Sequence, residues 1–108
     1  MSLLGAAEIR ELAEALDLKP SKSLGQNFVH DGNVCRKIVR TAGLTETDVA
    51  LEIGPGLGSL TLAMMEVAQA VVAVEIDSRL ATQLPITAAK HSERADILTV
   101  INQDALTL

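Results

Sequence analysis

The stretch LEIGPGLGSL, residues 51–60, joins a short apolar run to three glycines and then to a helix-like continuation. Glycine adopts positive φ easily and has no Cβ to hold a ligand away from the backbone. The helix that follows would present free N–H groups and the positive end of its dipole to an anionic group. The stretch therefore predicts a nucleotide-binding loop between a strand and a helix.

Three apolar runs rich in Val and Ile surround this loop: VALEI (49–53), VVAVEI (71–76) and ILTVI (97–101). Nearly continuous apolar runs are typical of parallel strands covered on both faces. Residues 59–68 and 78–90 between them have helical patterns, and Pro85 should bend or restart the second helix. The order β-α-β-α-β predicts an α/β fold, the first half of a doubly wound, Rossmann-like sheet.

Two helices precede the sheet. Residues 6–16 have apolar side chains at helical spacing, and Asp31 is a good N-cap for a second helix. We expect Val34, Ile38 and Ala42 on the inner face of that helix, with Gly43 ending it in a Schellman motif. This predicts an N-terminal helical segment at residues 1–48 and a sheet-forming part at residues 49–108, together no more than one domain.

The composition excludes several classes of protein. Cys35 is the only cysteine, so there is neither an internal disulfide nor a cysteine-based zinc site. No apolar run approaches the ~20 residues of a membrane span, and the acidic, amphipathic start is unlike a signal peptide, so we expect a cytoplasmic protein. Phe28 is the only aromatic residue, so the core must be aliphatic.

The charge is unevenly distributed. The chain carries −5 overall, whereas residues 19–40 carry five basic side chains against one acidic side chain, a local charge of +4. The basic residues are Lys19, Lys22, Arg36, Lys37 and Arg40. They predict either RNA contacts through phosphates or simply a solvated helix face and loop.

The spacing of the glycine loop bears on its ligand. A dinucleotide loop reads G-x-G-x-x-G, whereas Glu52 to Gly58 reads E-x-G-x-G-x-G. A pyrophosphate would be repelled by Glu52, but a ligand with an ammonium and a sulfonium would be attracted. This favours S-adenosyl-L-methionine over NAD.

Two further acids follow strands two and three. Glu75 lies about 20 residues past the loop, where a carboxylate can accept hydrogen bonds from ribose hydroxyls, and Asp104 is placed to accept from an exocyclic adenine amine. Each of them alone is more often a loop residue or a helix cap, which is the role we expect for Asp77. The glycine loop makes the binding role of Glu75 the better interpretation.

Four blocks in order resemble the ribosomal RNA adenine dimethyltransferase family. They are KSLGQNFVHDGNVCRKIV (22–39), LEIGPGLGSLT (51–61), VVAVEID (71–77) and VINQDAL (100–106). The resemblance implies a Rossmann-like methyltransferase that uses S-adenosylmethionine to dimethylate N6 of two adjacent adenosines near the 3′ end of small-subunit ribosomal RNA. The implied partner is this RNA in the precursor of the small ribosomal subunit.

The resemblance also implies the cofactor contacts. Asn27 and the backbone at Val29 would close over the methionine end, with Gly54 beneath it, and Gly56 of the glycine loop is a further cofactor-binding candidate. Glu75 would take the ribose, Ile76 would lie beside the adenine, and Asp104 would take the adenine amine.

One departure from the family pattern matters. The family's catalytic motif, Asn-Leu-Pro-Tyr after strand four, does not occur in these 108 residues. We therefore expect an N-terminal fragment without catalytic residues or activity of its own, whose first strand has an open edge that favours self-association or domain swapping. The alternatives are a non-catalytic module that binds cofactor or RNA, and a truncated NAD-dependent dehydrogenase.

Overall fold

The computed structural model describes residues 2–18 and 31–108. In these ranges the secondary structure comprises α1 (Ala6–Ala15), α2 (Gly32–Thr41), β1 (Val49–Ile53), α3 (Ser59–Met65), β2 (Ala70–Glu75), α4 (Ser78–His91) and β3 (Leu98–Asn102). One short 3-10 turn lies between α4 and β3, at Ala95–Ile97, and another follows β3, at Ala105–Thr107. The predicted β-α-β-α-β order after two helices is confirmed.

The three strands form one parallel sheet in the order β1-β2-β3. Val49 of β1 pairs with Ala70 of β2, and Val71 of β2 pairs with Leu98 of β3. All carboxyl ends therefore lie at the same edge, where open α/β sheets bind their ligands. The turn that follows β1 and the acids that follow β2 and β3 meet at this edge.

The hydrophobic core lies on one face of the sheet. Val71 packs there in a buried cluster with Leu62 of α3 and Ala88 of α4, and Leu4 and Ile9 from the N-terminal region join the same cluster. Residues before and after the start of β1 therefore contribute to one buried cluster.

The other face of β1 is uncovered in the described part of the chain. The side chains of Val49, Leu51 and Ile53 are 64%, 63% and 57% exposed. These three residues alternate with Ala50 and Glu52, which face the core side. The strand therefore lies at the edge of the sheet with one apolar face in solvent.

Helix α2 begins and ends as predicted, but it buries a different face. Asp31 accepts a hydrogen bond from the Asn33 N–H at 2.8 Å, and the helix ends in a Schellman motif at Gly43. The predicted inner face was wrong, because Val34 and Ile38 are 50% and 45% exposed. Cys35 and Val39 are buried instead, since α2 packs against α3.

Two other helix predictions need correction. Helix α3 ends at Met65 rather than Ala68, and Arg94 donates hydrogen bonds to the carbonyl oxygens of both residues at 2.8 and 2.7 Å. Helix α4 runs unbroken through Pro85, which is exposed, so the helix does not restart there. Solvent can hydrogen-bond the backbone carbonyl that a proline leaves without a partner, so the helix need not break there. None of the described helices is long and apolar enough to cross a membrane.

Candidate functional site

The glycine loop between β1 and α3 has the backbone that its sequence predicts. Gly54, Gly56 and Gly58 all have positive φ, at 72°, 60° and 102°. The N–H of Gly54 donates to the carbonyl oxygen of Val74 at 2.9 Å, so the loop leaves the sheet still anchored to β2. An L-residue would be strained at each of the three glycine positions.

The three glycines differ in what lies next to them. A Cβ added to Gly54 or Gly56 would meet no described atom within 4 Å, so a ligand can come close to this backbone. A Cβ on Gly58 would lie 2.6 Å from Cδ1 of Leu84. Gly58 therefore serves the packing of α4 against the loop, whereas the first two glycines leave an open surface.

Glu75 joins the loop to the end of β2. Its side chain is buried, and its two carboxylate oxygens accept hydrogen bonds from the backbone N–H groups of Gly56, at 3.1 Å, and Asp77, at 3.0 Å. Its carbonyl oxygen accepts from the Asn102 side chain at 2.9 Å and from the Gln103 N–H at 3.1 Å. Glu75 is therefore held in place by the glycine loop, by the start of α4 and by the end of β3.

Glu52 lies on the same, core-facing side of the sheet as Glu75, because Glu52 pairs with Ala73, which lies two residues before Glu75 in β2. Its carboxyl accepts a hydrogen bond from the Thr61 hydroxyl of α3 at 2.5 Å. Burial raises the pKa of Glu52, and the neighbouring Glu75 raises it further, while the hydrogen bond from Thr61 acts in the opposite direction. The two acids thus form a partly buried pair beneath the loop.

Asp77 and Asp104 both act as caps. Asp77 accepts from the N–H groups of Arg79 and Leu80 at the start of α4, as predicted. One oxygen of Asp104 accepts from the Leu106 N–H at 2.9 Å, and the other has no hydrogen-bond partner among the described residues. Ile76 is 67% exposed beside Glu75. The edge therefore offers an exposed apolar side chain and a carboxylate oxygen with spare accepting capacity.

Sequence reasoning did not find Ser59, the first residue of α3. Its side chain is buried, and its hydroxyl has no hydrogen-bond partner in residues 2–18 and 31–108. A buried polar group without a partner costs about 1–3 kcal/mol, so such a group in a native protein needs an explanation. A serine after a glycine loop gives no sequence signal for this burial, because the burial depends on how α3 packs.

The remaining predicted residues are Asn27, Val29 and the five basic side chains. Asn27, Val29, Lys19 and Lys22 lie outside the described residues. Arg36 makes a two-pronged ion pair with Glu66, the residue that caps the C-terminus of α3, with N–O distances of 3.0 and 2.8 Å. Lys37 and Arg40 are exposed on α2. In residues 2–18 and 31–108 no group of three or more His, Cys, Asp or Glu side chains could hold a metal ion.

Comparison with known families agrees with this geometry. A family model described as "Ribosomal RNA adenine dimethylase" matches residues 18–108. The chain belongs to the ribosomal RNA adenine dimethylase family. Membership in this family excludes the interpretation as a truncated NAD-dependent dehydrogenase.

Relatives in the dimethylase family are similar along nearly the whole chain. The ribosomal RNA small subunit methyltransferase A of Rhodococcus erythropolis is 58% identical over 97% of the chain, and that of Leifsonia xyli is 55% identical over all of it. The chain spans only 36% and 39% of the lengths of these two relatives. It therefore matches little more than a third of a dimethylase of that length.

Solved structures of similar proteins have the same fold. The 23S rRNA methyltransferase ErmE is 36% identical with a TM-score of 0.66, over 76% of this chain and 32% of its own. A dimethyladenosine transferase from Plasmodium falciparum is 29% identical with a TM-score of 0.65, over 74% of this chain and 28% of its own. The three-stranded unit described above is therefore a Rossmann-like methyltransferase fold.

Proposed function

We propose that this chain forms the S-adenosylmethionine-binding part of an enzyme that dimethylates N6 of two adjacent adenosines near the 3′ end of small-subunit ribosomal RNA. The observation that carries the proposal is the closure of the glycine loop onto the buried Glu75 carboxylate at the carboxyl edge of the sheet. S-adenosylmethionine supplies an activated methyl group on a sulfonium. Family membership supports the choice of this cofactor and of this RNA.

The described residues fit such a cofactor in three respects. No described atom lies within 4 Å of the position that a Cβ would take at Gly54 or Gly56, so a ligand can approach this backbone closely. The hydroxyl of Ser59 has no hydrogen-bond partner among the described residues, so it has hydrogen-bonding capacity to offer. Glu52 and Glu75 supply negative charge, and neither makes an ion pair with a described Lys, Arg or His. A cationic ligand therefore suits the site better than a pyrophosphate.

We assign the contacts by combining this geometry with the family resemblance. Glu75 accepts from the ribose hydroxyls, since each of its oxygens has a second lone pair beyond the backbone bond that it already accepts. Ile76 packs on the adenine, and the spare oxygen of Asp104 accepts from the adenine amine. Asn27 and Val29 contact the methionine end, an assignment that rests on the resemblance alone.

Calorimetric titration of the chain with S-adenosylmethionine, S-adenosylhomocysteine and NAD tests the proposal. We expect the first two ligands to bind and NAD not to bind. Glu75→Ala should abolish binding, whereas Glu46→Ala, at an exposed position in the turn before β1, should leave it unchanged. Equal binding by both variants, or binding of NAD alone, would contradict the assignment.

We further propose that the 108 residues do not transfer methyl groups by themselves, because they contain no Asn-Leu-Pro-Tyr motif. In the family resemblance this motif accepts from the target amine and stacks on the flipped adenine. Incubation with small ribosomal subunits and methyl-labelled cofactor should leave the RNA unlabelled. Labelling above the level seen with heat-denatured chain would refute this.

RNA contact by the basic surface is a separate proposal. Lys37 and Arg40 are exposed on α2, whereas Arg36 is already paired with Glu66, so we expect the first two to contact phosphates. Replacing both by Ala should weaken binding to small-subunit RNA and reduce the dependence of log affinity on log salt by about 0.9 per lost phosphate contact. Arg10→Ala on the exposed side of α1 is the matched control.

We also propose that the chain self-associates through the open edge of β1. Two features favour pairing with a second copy: the exposed row of Val49, Leu51 and Ile53, and the edge of β1 that no described strand pairs with. Sedimentation should show dimers or larger species, and Leu51→Lys should shift the chain toward monomer. A sharp monomer over the accessible concentration range would rule this out.

A further inference from the structure

The peptide groups that follow β2 are held by a side chain of the neighbouring strand. Asn102, the last residue of β3, pairs with Glu75 in the parallel ladder. Its carboxamide nitrogen donates to the carbonyl oxygen of Glu75 at 2.9 Å and to that of Ile76 at 3.3 Å. Both acceptors are carbonyl oxygens, so the NH₂ group of the carboxamide, and not its oxygen, has to face them. The side chain thus extends the hydrogen bonding of the sheet beyond the end of β2.

The two carbonyl oxygens differ in how much they depend on Asn102. The Glu75 carbonyl oxygen also accepts from the Gln103 N–H at 3.1 Å, so both of its lone pairs are used. The Ile76 carbonyl oxygen lies past the last ladder pair, and no backbone N–H of the described residues donates to it. Loss of the Asn102 side chain would therefore release the Ile76 carbonyl group first.

The direction of the Glu75 carboxylate depends on the same peptide group. The carbonyl group of Ile76 and the N–H of Asp77 belong to one planar peptide unit. Asn102 holds the carbonyl side of this unit, and the N–H side donates to the Glu75 carboxylate at 3.0 Å. The other carboxylate oxygen accepts from the Gly56 N–H at 3.1 Å. A rotation of this peptide unit would therefore move the carboxylate relative to the glycine loop.

The direction of the Ile76 side chain follows from the same contacts. The peptide groups on both sides of Ile76 accept from Asn102, so both backbone dihedral angles of Ile76 are restrained. The Ile76 side chain is 67% exposed, so packing within the described residues does little to orient it. Its direction at the carboxyl edge of the sheet is therefore set mainly by the backbone that Asn102 holds.

We infer that Asn102 is a positioning residue of the cofactor site, which holds the Glu75 carboxylate and the Ile76 side chain in the directions that the nucleoside part of the ligand requires. This inference rests on the proposed function, since it takes these two residues as the contacts of the ribose and the adenine. Asn102 acts through them and needs no contact with the ligand. A neutral hydrogen bond contributes modestly, so its loss should weaken nucleoside binding by about threefold to tenfold rather than abolish it.

Amide hydrogen exchange of the free chain, followed by NMR, tests the hold on the peptide groups. In Asn102→Ala, the N–H groups of Asp77 and Gly56, which donate to the carboxylate, should exchange about threefold to tenfold faster. The N–H of Gly54 donates to a carbonyl oxygen inside β2 and should change less, so it is the internal reference. Equal acceleration at all three positions, or none, would overturn the inference whether or not a ligand binds.

Calorimetric titration with S-adenosylmethionine and methylthioadenosine tests the consequence for binding. Both ligands contain the nucleoside, and methylthioadenosine lacks the amino-acid part. Asn102→Ala should weaken both by about the same threefold to tenfold, and Asn102→Gln, which keeps an NH₂ donor, should recover part of the loss. Gln103→Ala is the matched control, because the side chain of Gln103 donates to Thr107 and the variant keeps the backbone N–H. Circular dichroism verifies that each variant is folded.

The outcomes separate this inference from the proposed function. Equal affinities of Asn102→Ala and Gln103→Ala for methylthioadenosine overturn the inference while the proposed function stands. A loss confined to S-adenosylmethionine also overturns it, because the nucleoside contacts would then be intact. Failure of the parent chain to bind either ligand overturns both.

Discussion

Replacement of Glu75 by Gln should destabilise the chain even without a ligand. The Glu75 carboxylate accepts two backbone hydrogen bonds, from Gly56 at 3.1 Å and from Asp77 at 3.0 Å. Gln offers one oxygen and one NH₂ group, and the NH₂ would face a backbone N–H that then lacks an acceptor. An unsatisfied buried donor costs about 1–3 kcal/mol, and weakening the remaining bond from charged to neutral costs about 1 kcal/mol more.

Relief of the repulsion between Glu75 and Glu52 offsets a part of this cost. A net loss of about 2 kcal/mol is therefore expected, which for a domain of this size lowers the melting temperature by roughly 8 °C or more. Glu46→Gln, an exposed substitution of the same chemistry, should change it by less than about 4 °C.

The measurement is urea and thermal unfolding followed by far-ultraviolet circular dichroism, since the chain has neither Trp nor Tyr for intrinsic fluorescence. If Glu75→Gln unfolds at the same temperature as Glu46→Gln, the two backbone bonds do not hold the loop. The explanation of the glycine loop as a unit fixed by Glu75 would then be wrong.

Three further substitutions test other parts of the fold by urea unfolding. Gly58→Ala should lower the free energy of unfolding by about 2–4 kcal/mol, and Gly43→Ala by about 1 kcal/mol. Both glycines have positive φ, but only at Gly58 would an added Cβ lie 2.6 Å from Leu84. Equal losses would contradict the packing role of Gly58. Burial by itself would raise the pKa of Glu8, but hydrogen bonds from the histidine and lysine at the end of α4 lower this pKa overall. The ionised Glu8 therefore contributes stability above the ordinary glutamate pKa, and this stability should be lost as the pH falls through the lowered pKa. Glu8→Gln should flatten that acid limb between about pH 5 and pH 3, and an unchanged limb would contradict the assignment. Arg94→Ala should lower the free energy of unfolding by about 2 kcal/mol, because two carbonyl groups at the end of α3 lose their hydrogen-bond donor. Arg94→Lys should recover only part of this stability, since an ammonium group lacks the planar fork of the guanidinium. Full recovery by Lys would contradict the two-pronged cap.

The strands were predictable to within a residue or so because their apolar runs are continuous. β2 begins one residue before the predicted Val71 and ends at Glu75 rather than Ile76. Helix α2 shows the limit of the same reasoning. Its sequence offers apolar side chains on more than one side, and only its packing against α3 decides that Cys35 and Val39 are buried.

The site was predictable in its glycines and in the cap at Asp77, because turn and cap residues act locally in the chain. Two features were not predicted: the bond between Glu52 and Thr61, and the buried Ser59 hydroxyl, for which the described part of the chain supplies no partner. They depend on how α3 packs against the sheet, because this packing sets the distances between side chains of different elements. The cofactor contacts at Asn27 and Val29 stay predictions, since these residues lie outside the described ranges.

The order of the strands has a consequence for how the sheet is made. β2 pairs with β1, and β3 pairs with β2. Paired residues are therefore 21 positions apart between β1 and β2 and 27 positions apart between β2 and β3. Loop-closure entropy grows only slowly with length, so the two steps cost nearly the same. During synthesis, β2 can pair with β1 as soon as α3 and β2 have left the ribosome, and β3 can then add to the other side of β2. The order of translation is therefore also a workable order of assembly.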